Sequence, residues 1–205
     1  MGIDPGLATT GYGVLENGAC RDYGMVSTSA GTPIPQRIEA IVNRFDTLFR
    51  RFRPDACAIE TLFFKAVGAR SVILTAQLRG ALFYMLARRR IPVTELTPAT
   101  IKLILTGNGR AAKRQMQYMV RALLRVRDPI PDHAADALAA AYCLSKRMRE
   151  TQYRAAPLQY RRSAPCRKRG VGRSDTASEA ILQAKRSDKR SDTAIAVTRR
   201  TGSRR

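Results

Sequence analysis

Hydrophobic positions along this chain fall first into alternation and then into helical spacing. The stretch GYGVLENGACRDYGMVSTS at 11–29 alternates apolar and polar residues around Asn17-Gly18. Asn-Gly between alternating runs is a strong hairpin signal, so two antiparallel strands are predicted. The short MGI before Asp4 reads as the end of another strand. In PQRIEAIVNRFDTLFRRF (35–52) the apolar residues stand at 38, 41, 42, 45, 48 and 49, which is helical spacing. ACAIETLFF (56–64) reads as a buried strand, SVILTAQLRGALFYMLARR (71–89) as a largely apolar helix and IPVTELT (91–97) as a strand. AAKRQMQYMVRALLRV (111–126) predicts a helix, and a further helix starts at Asp132. The order of three strands, helix, strand, helix, strand and helices predicts an α/β protein. Its five-stranded mixed sheet opens with an antiparallel meander and is flanked by helices.

From about residue 150 the periodicity fades. KRSDKRSD at 185–192 is a tandem low-complexity repeat, and Arg, Ser and Gly crowd the segment. The chain therefore divides into a folded domain over 1–149 and a basic tail over 150–205, expected to be disordered apart from a weak helix at 177–185. Charge follows the same division. Residues 1–146 hold 20 basic and 11 acidic residues, and residues 147–205 hold 17 and 5, for a formal total of +21. Such a balance points to a polyanionic partner, nucleic acid above all, although ribosomal-type and membrane-surface proteins share it. The cysteines at 20, 57, 143 and 166 form no CxxC pair and no zinc spacing, so reduced thiols in a cytoplasmic protein are expected. No apolar run reaches membrane-spanning length and no signal peptide opens the chain, so no membrane partner is expected.

The chemistry concentrates in acids. PDHAADALAAAYCLSKRM at 131–148 opens a helix with Asp132, His133 and Asp136, and His133 is the only histidine of the chain. Asp132 suits an N-cap after Pro129 and Pro131. Asp136 lies one turn inside on an alanine-rich face, where a close-packed carboxylate needs a partner. These residues alone leave two readings open, capping with chance placement or a metal or catalytic cluster. Two acids elsewhere bear on the choice. Asp4 ends the first strand before a Pro-Gly turn, and Glu60 stands in the fourth strand between Ile59 and Leu62. The strand acid also has two readings, a structural ion pair or a member of a shared site. If the first and fourth strands are neighbours and the last helix packs its N-terminus on their ends, Asp4, Glu60 and Asp136 converge. Converging carboxylates need a cation, and hard oxygen donors suit Mg²⁺ or Mn²⁺. On a basic protein the matching reaction is phosphodiester hydrolysis, in which two metals activate a water and stabilise the leaving oxygen.

GIDPGLATTGYGV (2–14), AIETLFF (58–64), AQLRGAL (76–82) and DHAADALAAA (132–141), in this order and spacing, resemble the RuvC family of Holliday junction resolvases. The resemblance covers about residues 1–146. It implies a ribonuclease H-like fold, a homodimer, and paired symmetric nicks in a four-way DNA junction with a divalent metal, Mg²⁺ or Mn²⁺, two ions per site. It further implies Asp4, Glu60, His133 and Asp136 as catalytic tetrad and metal ligands. His133 would act as ligand or as acceptor of a proton from the attacking water, while Asp132 has no counterpart in the tetrad and stays a cap. Lys102 and Lys113, on either side of a flexible Gly107-Asn108-Gly109 turn, would be phosphate contacts, with Arg110 and Arg114 as helpers. Phe63, or Phe64 in its place, would stack on an unstacked base. The RuvA–RuvB branch-migration complex is implied as a partner in recombination and repair.

Two departures from the family stand out. Only Met1, Gly2 and Ile3 precede Asp4, and the stretch from 63 to 80 is about one residue longer than usual. Two alternatives stay open at this stage: a related nuclease acting on RNA, such as a pre-16S ribosomal RNA processing factor, and a catalytically impaired DNA-binding protein. A sugar-kinase or actin-like ATPase shares the Asp-Gly turn but needs a longer chain for its two lobes.

Overall fold

The computed structural model describes residues 1–62 and 69–155. Its strands are β1 (Gly2–Asp4), β2 (Thr9–Glu16), β3 (Ala19–Ser27), β4 (Cys57–Glu60) and β5 (Val93–Leu96). Its helices are α1 (Ile34–Phe52), α2 (Ala69–Arg88), α3 (Pro98–Thr106), α4 (Lys113–Leu124) and α5 (Asp132–Ala155). The five strands form one sheet in the order β3-β2-β1-β4-β5. The β1–β2 and β2–β3 pairs are antiparallel, and β1–β4 and β4–β5 are parallel. The predicted meander is present. Asn17 and Gly18 turn it with φ of 53° and 83°, the left-handed pair that a tight hairpin requires. Among the described residues no helix is long and apolar enough to cross a membrane. The three described cysteines, Cys20, Cys57 and Cys143, are free thiols.

Helices cover both faces. Ile41, Phe45 and Phe49 of α1 and Leu78, Leu82 and Leu86 of α2 bury one face with Ile3, Tyr12, Cys57 and Ile59. Helices α3, α4 and α5 cover the other with Ile101, Met119, Val120 and Leu138, over Ala58 and Leu96. Side chains alternate along a strand. Since Ile3 and Ile59 face α1 and α2, their neighbours Gly2, Asp4, Ala58 and Glu60 face α5. The sheet on that side is nearly bare. A Cβ built on Gly2 would lie 2.0 Å from the Ala137 carbonyl oxygen, and one on Gly11 would lie 2.0 Å from that of His133. Backbone therefore packs on backbone, and the alanines of α5 make that approach possible.

The structure revises four local readings. The fourth strand ends at Glu60 instead of running to 64, so Glu60 occupies a strand end and not a strand interior. Thr61 donates its N–H to Leu96 as the chain leaves the sheet. Residues 98–106 form a helix, α3, which the hydrophobic pattern did not separate from its surroundings. Thr97 caps it by accepting from the Thr100 N–H at 3.1 Å, Pro98 follows the cap, and Gly107 ends it with φ of 72°. The turn after it is pinned rather than loose. Thr106 Oγ1 donates to the Asn108 carbonyl at 3.0 Å, and Asn108 Oδ1 accepts from Arg110 N–H at 3.0 Å. Helix α5 continues past residue 149 to Ala155. The possible helix at 177–185, the rest of the tail from 156, Phe63 and Phe64 lie outside the described residues.

Candidate active site

Each candidate side chain is set by a backbone feature. Asp4 ends β1, and the turn behind it is held by buried Thr10, whose Oγ1 donates to the Gly6 carbonyl at 2.8 Å. Glu60 ends β4, which is parallel to β1 and beside it. The C-terminal ends of adjacent parallel strands form a natural crevice. The N-terminal turns of α5 lie across this crevice and bring His133 and Asp136 to the two strand-end carboxylates.

His133 Nδ1 lies 2.7 Å from Asp4 Oδ2. An ionised carboxylate can only accept, so Nδ1 carries the proton, and the ring in its neutral form presents its lone pair at Nε2. Asp136 Oδ2 is 3.9 Å from Lys113 Nζ. Lys113 makes a shorter pair with Asp132, at 2.7 Å, and Asp132 also accepts from Gln117 Nε2 at 2.5 Å. Asp132 is the first residue of α5 and not its cap. Pro131 precedes it and its carbonyl accepts from Ala135 at 2.8 Å. The hydrogen bond with Asp132 is the main cause that raises the Lys113 ammonium above its usual pKa.

The acids sense one another. Burial first, then the charges of Asp4 and Asp136, push the Glu60 carboxyl up to about 7, against the pull of Lys102 and Arg79. Burial and then Asp4 also raise Asp136. Glu60, Asp136, Lys102 and Lys113 line one cavity of about 260 Å³, floored by Ile101, Met116 and Ala139. Arg110 and Arg114 are exposed on the α3–α4 turn and the start of α4, outside that lining. Among the described residues no three His, Cys, Asp or Glu side chains close into a ready-made metal-binding group. The donor set nevertheless suits a hard divalent cation. Carboxylates from three elements raise one another's affinity for positive charge, and an imidazole lone pair stands beside them.

This electrostatics has a consequence for stability. The Glu60 carboxyl sits near 7 in the fold, well above its ordinary 4.5. The unfolded chain thus releases its proton first, and the metal-free fold loses stability as pH rises from about 4.5 to about 7. The loss above pH 7 amounts to up to roughly 3 kcal/mol. Glu60→Gln is expected to remove this slope and to raise the melting temperature of the metal-free protein at pH 8. Thermal unfolding in EDTA at pH 5 and pH 8 measures it, and equal slopes in both proteins would contradict it.

One residue of the site region carried no role in the sequence reading. Arg79 of α2 is buried at 5% exposure and donates to the Glu60 carbonyl oxygen. The available signal was a charged residue between Leu78 and Leu82 on a helix face that otherwise packs into the core.

Comparison with known proteins identifies the family and the fold. A family model described as crossover junction endodeoxyribonuclease RuvC matches residues 1–144. A crossover junction endodeoxyribonuclease RuvC of Thermomicrobium roseum is 42% identical over 156 residues, 74% of this chain and 95% of that protein. One from Treponema pallidum is 42% identical over 146 residues, 69% of this chain and 74% of that protein. Among solved structures, T. thermophilus RuvC in complex with Holliday junction substrate superposes with a TM-score of 0.68 at 31% identity, covering 73% of this chain and 94% of that one. The yeast mitochondrial Holliday junction resolvase Ydc2, at 13% identity and a TM-score of 0.51, shares the fold. The architecture is the ribonuclease H-like one that the motifs implied.

Proposed function

This chain belongs to the RuvC family of crossover junction endodeoxyribonucleases, and we propose that it resolves Holliday junctions at a centre built from Asp4, Glu60, His133 and Asp136. The observation that carries this reading is the electrostatic contact of Glu60 with Asp4 and Asp136, beside a cavity lined by Glu60, Asp136, Lys102 and Lys113. Asp4, Glu60, Asp136 and His133 would hold Mg²⁺ or Mn²⁺, two ions per site, supplying a Lewis acid for the phosphodiester and an acidified water. Asp4 orients the imidazole through Nδ1, so Nε2 is the lone pair offered to a metal or to the proton of the attacking water. Lys102 and Lys113 take phosphate oxygens at the mouth of the cavity, with Arg110 and Arg114 further along the strand path. Phe63 is assigned to an unstacked junction base on the family resemblance alone, and so is partnership with the RuvA–RuvB complex. Acting on DNA, the protein belongs in the cytoplasm.

A homodimer fits the exposed side of α2. Ile73 and Tyr84 are 54% and 66% exposed, and Gln77 and Gly80 lie between them on the same helix face. An exposed helix face of this kind, with large hydrophobic side chains at both ends, suits a second copy of the chain, which would place two cleavage centres on opposed strands.

The paired lysine Lys113 gives a graded test of the DNA side. Lys113→Ala is expected to weaken binding of junctions of any sequence and to lower the salt slope of log affinity by about one. Binding isotherms at several salt concentrations measure it, and an unchanged slope would remove Lys113 from the phosphate path. Substrate choice tests the function itself. Purified protein with Mg²⁺ is incubated with a labelled four-way junction, a linear duplex and an RNA hairpin. Paired symmetric nicks in the junction alone are expected. Preferential cleavage of the hairpin would assign the protein to RNA processing, and cleavage of none would make it a DNA-binding protein.

A further inference from the structure

Buried arginines in nucleases invite a phosphate role, but Arg79 cannot serve one. Its side chain is 6% exposed, and its guanidinium is already engaged on three sides. Nη1 donates to the carbonyl oxygen of Glu60. Nη2 pairs with Glu95 Oε2 of β5 at 2.6 Å. The plane lies against the Phe83 ring, with its central carbon 5.0 Å from the ring centroid. One side chain of α2 thus binds the last residue of β4 and the neighbouring strand together.

The place of that bond gives it meaning. The β1–β4 ladder ends at the Ile3–Ile59 pair, and on the other side Glu60 pairs with Leu96 as the final step of β4. Beyond Glu60 the strand leaves the sheet: the Thr61 N–H still donates to Leu96 at 2.8 Å, while the carbonyl at the other edge of the same peptide plane is held by Arg79, so loss of that bond leaves the plane pinned at one edge only. Turning that plane turns the Glu60 side chain away from Asp4 and Asp136. A guanidinium fork, fixed by stacking and by its second acceptor, holds such a plane far better than an ammonium, which offers one point of charge on a flexible stem. We infer that Arg79 is a positioning residue for the cleavage centre: anchored by Glu95 and Phe83, it fixes the carbonyl of Glu60 and so aims the Glu60 carboxylate at the metal-binding position. The inference rests on the proposed role of Glu60 as a ligand. Groups that orient a metal ligand from behind commonly change metal affinity 10- to 100-fold when removed.

The test measures Mn²⁺ binding to the full chain by calorimetry, together with junction binding without divalent metal and cleavage as a function of Mn²⁺ concentration. Arg79→Lys and Arg79→Met are each expected to weaken Mn²⁺ binding about 10-fold or more. Junction affinity should stay within about twofold of wild type, because the side chain is out of reach of DNA. Raising the Mn²⁺ concentration should recover part of the lost cleavage. Glu95→Gln keeps the Glu60 bond but loosens its anchor, and a smaller shift of about threefold in the same direction is expected. This variant decides the matter if the Arg79 variants do not fold. Wild-type Mn²⁺ affinity in a folded variant would overturn the inference, leaving a brace that merely supports the fold. Weaker junction binding with unchanged Mn²⁺ affinity would overturn it in favour of a phosphate contact. Glu60→Gln in the same titration separates the two levels. If it too leaves Mn²⁺ affinity unchanged, the proposed site fails. If it weakens Mn²⁺ while the Arg79 and Glu95 variants do not, only the role of Arg79 fails.

Discussion

Asp4→Asn, Glu60→Gln and Asp136→Asn are each expected to slow junction cleavage by about 10³-fold or more, with junction affinity within about twofold of wild type. The size follows from what each change removes. A carboxylate turned into an amide keeps its shape but loses its charge, and the centre then holds a divalent cation with two carboxylates where it had three. A thousandfold in rate is about 4 kcal/mol of transition-state stabilisation. Affinity is a separate matter, since it comes from phosphate contacts made by lysine and arginine. The amide variants even relieve repulsion, because Glu60 and Asp136 are each raised by the charge of Asp4. Single-turnover rates at saturating protein, alongside binding isotherms in EDTA, separate the two quantities. Cleavage within tenfold of wild type in any one variant would take that residue out of the centre.

Gly11→Ala and Gly2→Ala are expected to cost about 2–3 kcal/mol of stability each, and to slow cleavage by the surviving folded protein about 10²-fold. A Cβ on Gly11 would lie 2.0 Å from the His133 carbonyl oxygen and 2.3 Å from its carbon. On Gly2 it would meet the Ala137 carbonyl oxygen at 2.0 Å and the Ala141 nitrogen at 2.6 Å. These neighbours are helix backbone, which cannot turn aside as a side chain would. Helix α5 must lift off the sheet. The part that lifts at Gly11 carries His133, one turn from Asp136. A displacement of about 1 Å is enough to misalign a reacting group. Denaturant unfolding gives the first quantity, and rates below the unfolding transition give the second. A Gly11→Ala protein with wild-type stability and rate would mean that α5 does not approach the sheet this closely.

The residues that wrote themselves into the sequence are those whose local signals agree with their tertiary role. Asn17-Gly18 between alternating runs produced the hairpin, because the turn conformation and the residue types depend on each other. Alanines at 134, 135, 137 and 139–141 marked the close-packed helix, and Asp136 among them needed a partner that the fold supplies. Where the pattern was uninformative, the reading failed for a physical reason. Helix α3 is short and mostly apolar, with Ile101, Leu103, Ile104 and Leu105 in its interior, so periodicity could not separate it from a buried strand. The Thr97-Pro98 cap was the signal that could have found it. Glu60 looked like a strand-interior acid because ACAIETLFF is apolar on both sides, whereas the ladder partner that sets its end, Leu96, is remote in sequence. Asp132 was read as a cap from its position, but its carboxylate is committed to Lys113 and Gln117 on α4. The role of Arg79 needed the tertiary contact itself, since nothing in AQLRGAL says which carbonyl a guanidinium will reach.

Crystals of the protein soaked in Mn²⁺ and measured at the manganese absorption edge address the cleavage centre most directly. Anomalous density is expected within about 2.5 Å of carboxylate oxygens of Asp4, Glu60 and Asp136. Lys113 should then release Asp136, which now lies 3.9 Å from its ammonium. Density confined to other positions, at Mn²⁺ concentrations that support full junction cleavage, would contradict a metal centre formed by these three carboxylates.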